Sequence, residues 1–238
     1  GKGENVAIFT IIAEKFNTSH FSKQELEFIK SVVKKKNKFI SINQYDRYVF
    51  LQIIDVNDKE PHKELENMRK AGEQLTGALN KVKANKVCVI TETGGANVYA
   101  FLEGMVLGNY QFLKYKTSSS ENTLRKIGII SSHITAAHIT ELHTVCESVW
   151  MARDLVNEPV CTLNATALAK AFQAMGKKSG FKVKVFDKAK IKSMKMGGLL
   201  AVNMGSIDPP TFTVMEWKPS NAKNKKPFVL VGKGVVYD

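Results

Sequence analysis

The sequence has no run of apolar residues long enough to cross a bilayer, which takes about eighteen in succession. Its first residues, Gly1-Lys2-Gly3-Glu4, lead into no signal-peptide h-region and include no initiator Met. A trimmed chain end and a cytoplasmic location are therefore expected. Cysteine is scarce: Cys88, Cys146 and Cys161 are odd in number, widely spaced and form no Cys-x-x-Cys. Each is expected to sit reduced in apolar surroundings rather than in a disulfide. Gly-x-Gly-x-x-Gly and Walker A sequences are missing, so nucleotide binding by those routes is not indicated. There is no Gly-x-Ser-x-Gly elbow and no His-Glu-x-x-His. The histidines are His20, His62, His133, His138 and His143. His138 and His143 are five apart and do not share a helix face. With His133 they read as surface or satisfied residues rather than metal ligands.

At 238 residues and 44% hydrophobic, the chain can bury one large core or two ordinary ones. Its formal charge of +13 is uneven. Residues 1–150 hold 20 Lys and Arg against 16 Asp and Glu, while residues 151–238 hold 15 against 6. Between Lys170 and Lys195 lie nine lysines and one acid, Asp187. Such a field suits nucleic acid or another acidic partner. A solvated lysine face is the favoured reading, because no nucleic-acid motif or aromatic–basic interleaving accompanies the charge.

Apolar patterning lays out alternating strands and helices. Val6–Ile12, Phe39–Ile42, Tyr48–Ile54, Lys86–Thr91 and Lys126–Ser131 read as strands. Ser22-Lys23-Gln24-Glu25 is a capping box opening a helix with Leu26, Ile29 and Val33 on one face. Pro61 starts a helix to about Lys83, striped by Leu65, Met68, Leu75 and Leu79. A helix from about Asn97 to Asn109 follows Gly94-Gly95, a glycine pair that offers a weak anion-site candidate for ADP-ribose or a nucleotide. Another runs from Ala136 to about Val156. Pro159 marks a domain boundary near Asn157–Thr162. Beyond it, Asn164 caps a helix ending at Gly180, and Phe181–Phe186 forms a strand. Asp187 caps a short helix. Thr211–Trp217 and Pro227–Val231 then read as strands joined by a polar hairpin loop, Lys218–Lys226. The order predicts α/β layers with a largely parallel sheet in each half.

Four segments carry a resemblance. Glu103-Gly104-Met105-Val106-Leu107-Gly108-Asn109-Tyr110 is followed by Phe112 and Tyr115. Ala152-Arg153-Asp154-Leu155-Val156-Asn157-Glu158-Pro159 lies at the boundary. Met196-Gly197-Gly198-Leu199-Leu200-Ala201-Val202 precedes Gly205-Ser206 and Pro209-Pro210. The last is Val231-Gly232-Lys233-Gly234-Val235-Val236-Tyr237-Asp238, which alone would read as a strand end and turn. In this order they resemble the cytosolic leucine aminopeptidase family from about Glu64 to Asp238. Two departures are Asn164-Ala165, where the family usually has Thr-Pro, and Tyr237, where it has Phe.

The resemblance implies two three-layer α/β domains. Residues 1–157 would be a macrodomain-like accessory domain, and 158–238 the beginning of a metallopeptidase catalytic domain that is truncated here. It implies removal of N-terminal amino acids from peptides with a free N-terminus, two divalent ions (Zn or Mn) and a homo-hexamer. It makes Lys233 and Asp238 metal ligands, Lys233 as a neutral amine. Two ligands cannot hold two ions, so the 238-residue chain alone is expected to be inactive. A longer product is expected, with the Phe228–Val231 strand inside its sheet. The alternative is a non-catalytic module binding nucleic acid or a partner through the basic 170–195 face.

Overall fold

A computed structural model describes residues 3–11, 16–55, 60–118 and 120–234. The chain divides into two compact units, Gly1–Ala152 and Arg153–Asp238. Helix α4 (Ala136–Asn157) runs from the first into the second.

The first unit is built on β1 (Asn5–Thr10), β2 (Phe39–Asn43), β3 (Tyr48–Ile53), β4 (Lys86–Ile90) and β5 (Lys126–Ile130). They form one sheet in the order β2-β3-β1-β4-β5. All neighbours are parallel except the β2–β3 pair, in which Ile40 faces Leu51. That pair is a hairpin, and Asp46 sits at its turn, where Tyr45 takes a positive φ of 68°. The strand expected to reach Ile12 ends at Thr10, and Ile12 lies outside the described residues.

Helices cover both faces of the sheet. On one, Val6, Ile8, Ile40, Val49 and Leu51 pack against Ile29 of α1 (Lys23–Lys34). The expected capping box starts this helix. Glu25 N–H donates to Ser22 Oγ at 3.2 Å, and Ser22 N–H donates to Glu25 Oε2 at 2.6 Å. On the other face, Ala7, Phe9, Phe50, Val87 and Val89 pack against α2 (Pro61–Lys81) and α3 (Gly95–Gly108). Phe9 stacks on Phe101 at 4.4 Å between ring centroids. Leu142 and Cys146 of α4 join the same core.

Small residues let α2 and α3 touch backbone to backbone. A Cβ at Gly104 would stand 2.5 Å from Arg69 Cα and 2.6 Å from its carbonyl carbon. One at Gly72 would stand 2.8 Å from Met105 N. Only glycine permits this approach. Glu103 then accepts a hydrogen bond from Arg69 Nε at 2.6 Å. Both members of the Glu-Gly pair singled out in the sequence therefore act on Arg69.

The second unit contains α5 (Ala165–Ser179), β6 (Lys182–Phe186), α6 (Lys188–Ser193), α7 (Gly197–Asn203) and β7 (Phe212–Glu216). Helix α5 ends as expected at Gly180, in the left-handed region at φ 76°. Gly176 lets it lie close on β6, since a Cβ there would stand 2.8 Å from Phe181 O and closer still to Val183. Two expectations fail in this unit. Its sheet is the antiparallel pair β6–β7, not a parallel one. The long connection through α6 and α7 can return the chain in either direction, so the alternation of elements does not fix polarity. Pro227–Val231, expected as a strand, is irregular, and Phe228, Val229, Leu230 and Val231 are 76–96% exposed. A strand exists only as part of a ladder, and no described residue pairs with this run. Lys218–Lys226 is accordingly not a hairpin loop.

Candidate functional site

The sequence points to the end of the second unit, and the fold shows how that region is held. Asn164 caps α5 by accepting a hydrogen bond from Ala167 N–H at 3.0 Å. Its amide nitrogen donates to Asp208 Oδ1 at 3.1 Å. Asn203, at the end of α7, donates to Asp208 O at 2.9 Å, and Asp208 N–H donates to Ser206 Oγ at 3.2 Å. Thr211 donates to Ala165 O at 3.2 Å. The Met196–Pro210 motif is thus tied to the start of α5 around one aspartate. These bonds position backbone; none of them is a reacting group. Gly234 closes the described tail, and a Cβ there would stand 3.8 Å from Leu168 of α5.

Lys233 lies in the irregular segment before Gly234 and is exposed. Asp238 lies outside the described residues. Among the described residues, no three His, Cys, Asp or Glu side chains come together where they could hold a metal ion. His133, His138 and His143 are exposed. His138 Nδ1 accepts from Thr135 N–H at 3.3 Å, and His143 Nδ1 lies 3.8 Å from Glu147. The start of α3 at Gly94-Gly95 has no side-chain cap, and nothing beyond that bare helix end marks it as an anion site. Cys88 is half-buried and Cys146 buried, but Cys161 is exposed, against the expectation of apolar surroundings. It occupies the turn where Thr162 N–H reaches back to Pro159 O, and such turns lie at the surface. Burial, then the nearby Glu4 charge, pushes the Cys88 thiol above its ordinary value.

Sequence reasoning missed Asn203 and Asp208. Asn203 lies two residues before Gly205 and Asp208 directly before Pro209, a pattern that reads as loop chemistry until their partners are seen.

Comparison with known proteins supplies what the geometry leaves open. Residues 150–238 match the family model described as "Cytosol aminopeptidase family, catalytic domain". A probable cytosol aminopeptidase of Chlorobium limicola is 41% identical over 158 residues, covering 58% of this chain and 30% of the relative. One of Chlorobaculum parvum is 60% identical over 87 residues, covering 37% and 17%. Residues 150–238 are thus similar to the catalytic domain of the cytosol aminopeptidase family. A probable cytosol aminopeptidase of Sinorhizobium fredii is 32% identical over 206 residues, covering 81% of this chain and 40% of the relative. The chain therefore spans well under half the length of these relatives. Solved structures share the fold. A tomato leucine aminopeptidase mutant superposes with a TM-score of 0.71 at 18% identity, covering 90% of this chain and 47% of that one. The bottromycin maturation enzyme BotP in complex with Mn gives 0.69 at 19%, covering 91% and 46%. No helix among the described residues is long and apolar enough to cross a membrane.

Proposed function

We propose that this chain is part of a leucyl aminopeptidase, a hydrolase that removes N-terminal residues from peptides. In this reading, residues 1–157 are a macrodomain-like accessory domain and 158–238 open the catalytic domain. The observation that carries it is the match of residues 150–238 to the catalytic-domain model, in a segment that includes Val231-Gly232-Lys233-Gly234 and Asp238. Lys233 and Asp238 would be ligands in a two-metal site. The manganese in BotP supports a divalent ion, with zinc as the other choice. A cytoplasmic homo-hexamer is the proposed assembly.

The described residues do not fit a metal pair by themselves. One exposed lysine is a single donor, and no carboxylate or histidine cluster stands with it. No catalytic step is assigned to them. The activity is proposed for a product that carries the whole catalytic domain, and the 238-residue chain is expected to lack it. Both should be assayed for leucyl p-nitroanilide hydrolysis with Mn²⁺ or Zn²⁺. The whole-domain product should turn over, and Lys233→Ala should lower its kcat/KM more than tenfold, since even residues one shell beyond a metal change activity by about 10–100-fold. An unchanged kcat/KM in that variant would remove Lys233 from the site. Turnover by the 238-residue chain at the rate of the whole domain would overturn the proposed dependence on further ligands.

A further inference from the structure

We propose that the β6–α6 segment of the second unit binds single-stranded nucleic acid. The lysine run is more exposed than its sequence requires. All nine lysines from Lys170 to Lys195 are exposed, and among the described residues none of the nine forms an ion pair. The nearby acids form no ion pair with them among the described residues. Asp187 is committed to capping α6, accepting from Lys190 N–H at 2.8 Å. Asp208 is held by Asn164. Glu216 faces Lys182 across the strand pair.

Strand pairing adds the aromatic component that the linear sequence hides. Residues directly opposite in an antiparallel pair share a face. Lys182, Lys184 and Phe186 therefore lie on the same face as Phe212, Val214 and Glu216. Lys184 Nζ stands 5.1 Å from the Phe186 ring centroid, and Phe186 lies 6.0 Å from Phe212. Trp217, just past β7, is 74% exposed. Lysines beside the half-buried rings of Phe186 and Phe212, with the exposed Trp217 just past β7, suit a strand whose bases are free to stack. A duplex hides the faces of its bases, and an acidic protein offers none. Only Asp187 separates β6 from α6, where Lys188 and Lys192 are four apart on one helix face. Lys182, Lys184, Lys188, Lys192 and Lys195 form the proposed track.

The test is fluorescence anisotropy of a labelled thirty-nucleotide oligodeoxythymidine with the 238-residue chain. Five phosphate contacts on a single strand give a log–log salt slope of about −3.5, so affinity should fall roughly 100-fold between 50 and 200 mM KCl. Changing the five lysines to Gln together should abolish most binding and flatten the slope. Changing Lys23, Lys30, Lys34, Lys35 and Lys36 to Gln removes the same charge from the first unit and should alter affinity less than threefold. Equal losses in the two variants would reduce the effect to net charge and overturn the proposal. So would no binding at 50 mM KCl, tighter binding to a duplex, or affinity unchanged for a strand without bases. Binding to phosphatidylserine vesicles without strand binding would overturn it in favour of a membrane surface. None of these readouts depends on peptidase activity.

Discussion

Gly104→Ala should be among the most damaging single-methyl additions in the first unit. The new Cβ would stand 2.5 Å from Arg69 Cα and 2.6 Å from its carbonyl carbon, and closer still to the carbonyl oxygen. The obstacle is backbone, so no rotamer change relieves it. Restoring a normal separation needs α2 and α3 to part by about 1 Å, a gap that forfeits a quarter to a half of each dispersion contact across it. The interface that would open holds Met68, Leu75, Leu79, Phe101 and Met105, all fully buried. Overpacking of this kind costs about 1–3 kcal/mol, and this site lies at the upper end because it cannot yield locally. Alanine returns about 1 kcal/mol of helix propensity. The net is about 2 kcal/mol of destabilisation. Gly77→Ala on the solvent side of α2 is the matched control, since nothing lies within 4 Å of a Cβ there. It should stabilise by about 1 kcal/mol. Urea unfolding midpoints of the two variants should move in opposite directions. If Gly104→Ala were as stable as the parent, the close approach of the two helices would be wrong.

Stability should fall in two stages as pH drops, through His20 in the turn before α1 and Glu25 in its first turn. Burial, then the Arg47 charge, lowers the His20 pKa below 6.5, so the unfolded chain takes up that proton first and stability declines from about pH 6.5 downward. Burial raises the Glu25 pKa, but hydrogen bonds from Ser22 and Gln44 and the Arg47 charge outweigh it, and the net shift is downward from 4.5. Its contribution is complete above that value and is lost as pH falls through the folded pKa. In urea midpoints measured from pH 3 to 8, His20→Gln should flatten the upper stage and Glu25→Gln the lower. Asn164→Ala removes both a helix cap and a bond to Asp208. It should cost about 2 kcal/mol by urea unfolding. Asn164→Asp keeps the cap but faces a second carboxylate, so its stability should depend on salt. Amides of residues 228–231 should exchange with solvent at unprotected rates in the 238-residue chain, as their lack of ladder partners requires, and hydrogen exchange read by mass spectrometry checks this.

What the sequence made legible follows from the range of the interactions involved. The α1 capping box is closed within four residues, and it formed as read. The stripe Met68, Leu75 and Leu79 shows its period over three turns, and all three side chains are fully buried. The polarity of β6–β7 was not legible, because it depends on how some 25 residues of connection fold back. The role of Asp208 was hidden for the same reason: its partner Asn164 is 44 residues away. Cys161 was misplaced because cysteine's general preference for burial says nothing about a turn after Pro159.

Three of the four motifs that pointed to the family divide by whether their partners are present. Glu103-Gly104 is complete, with Arg69 supplying a cation to one residue and a backbone surface to the other. The Met196–Pro210 segment is complete around Asp208. In this fold both segments make packing and hydrogen-bond contacts that involve no reacting group. The run from Phe228 to Lys233 differs in kind. Four large or branched apolar side chains in succession are each worth about 1.5–3 kcal/mol when buried, yet here all four stand in water. A sequence that places such a run directly before Gly-Lys-Gly encodes a strand buried on both faces that delivers a lysine at its end. The described residues supply neither neighbouring strand. The irregular backbone of residues 228–231 and the exposure of Lys233 follow together, because no described strand pairs with the run that leads into that lysine.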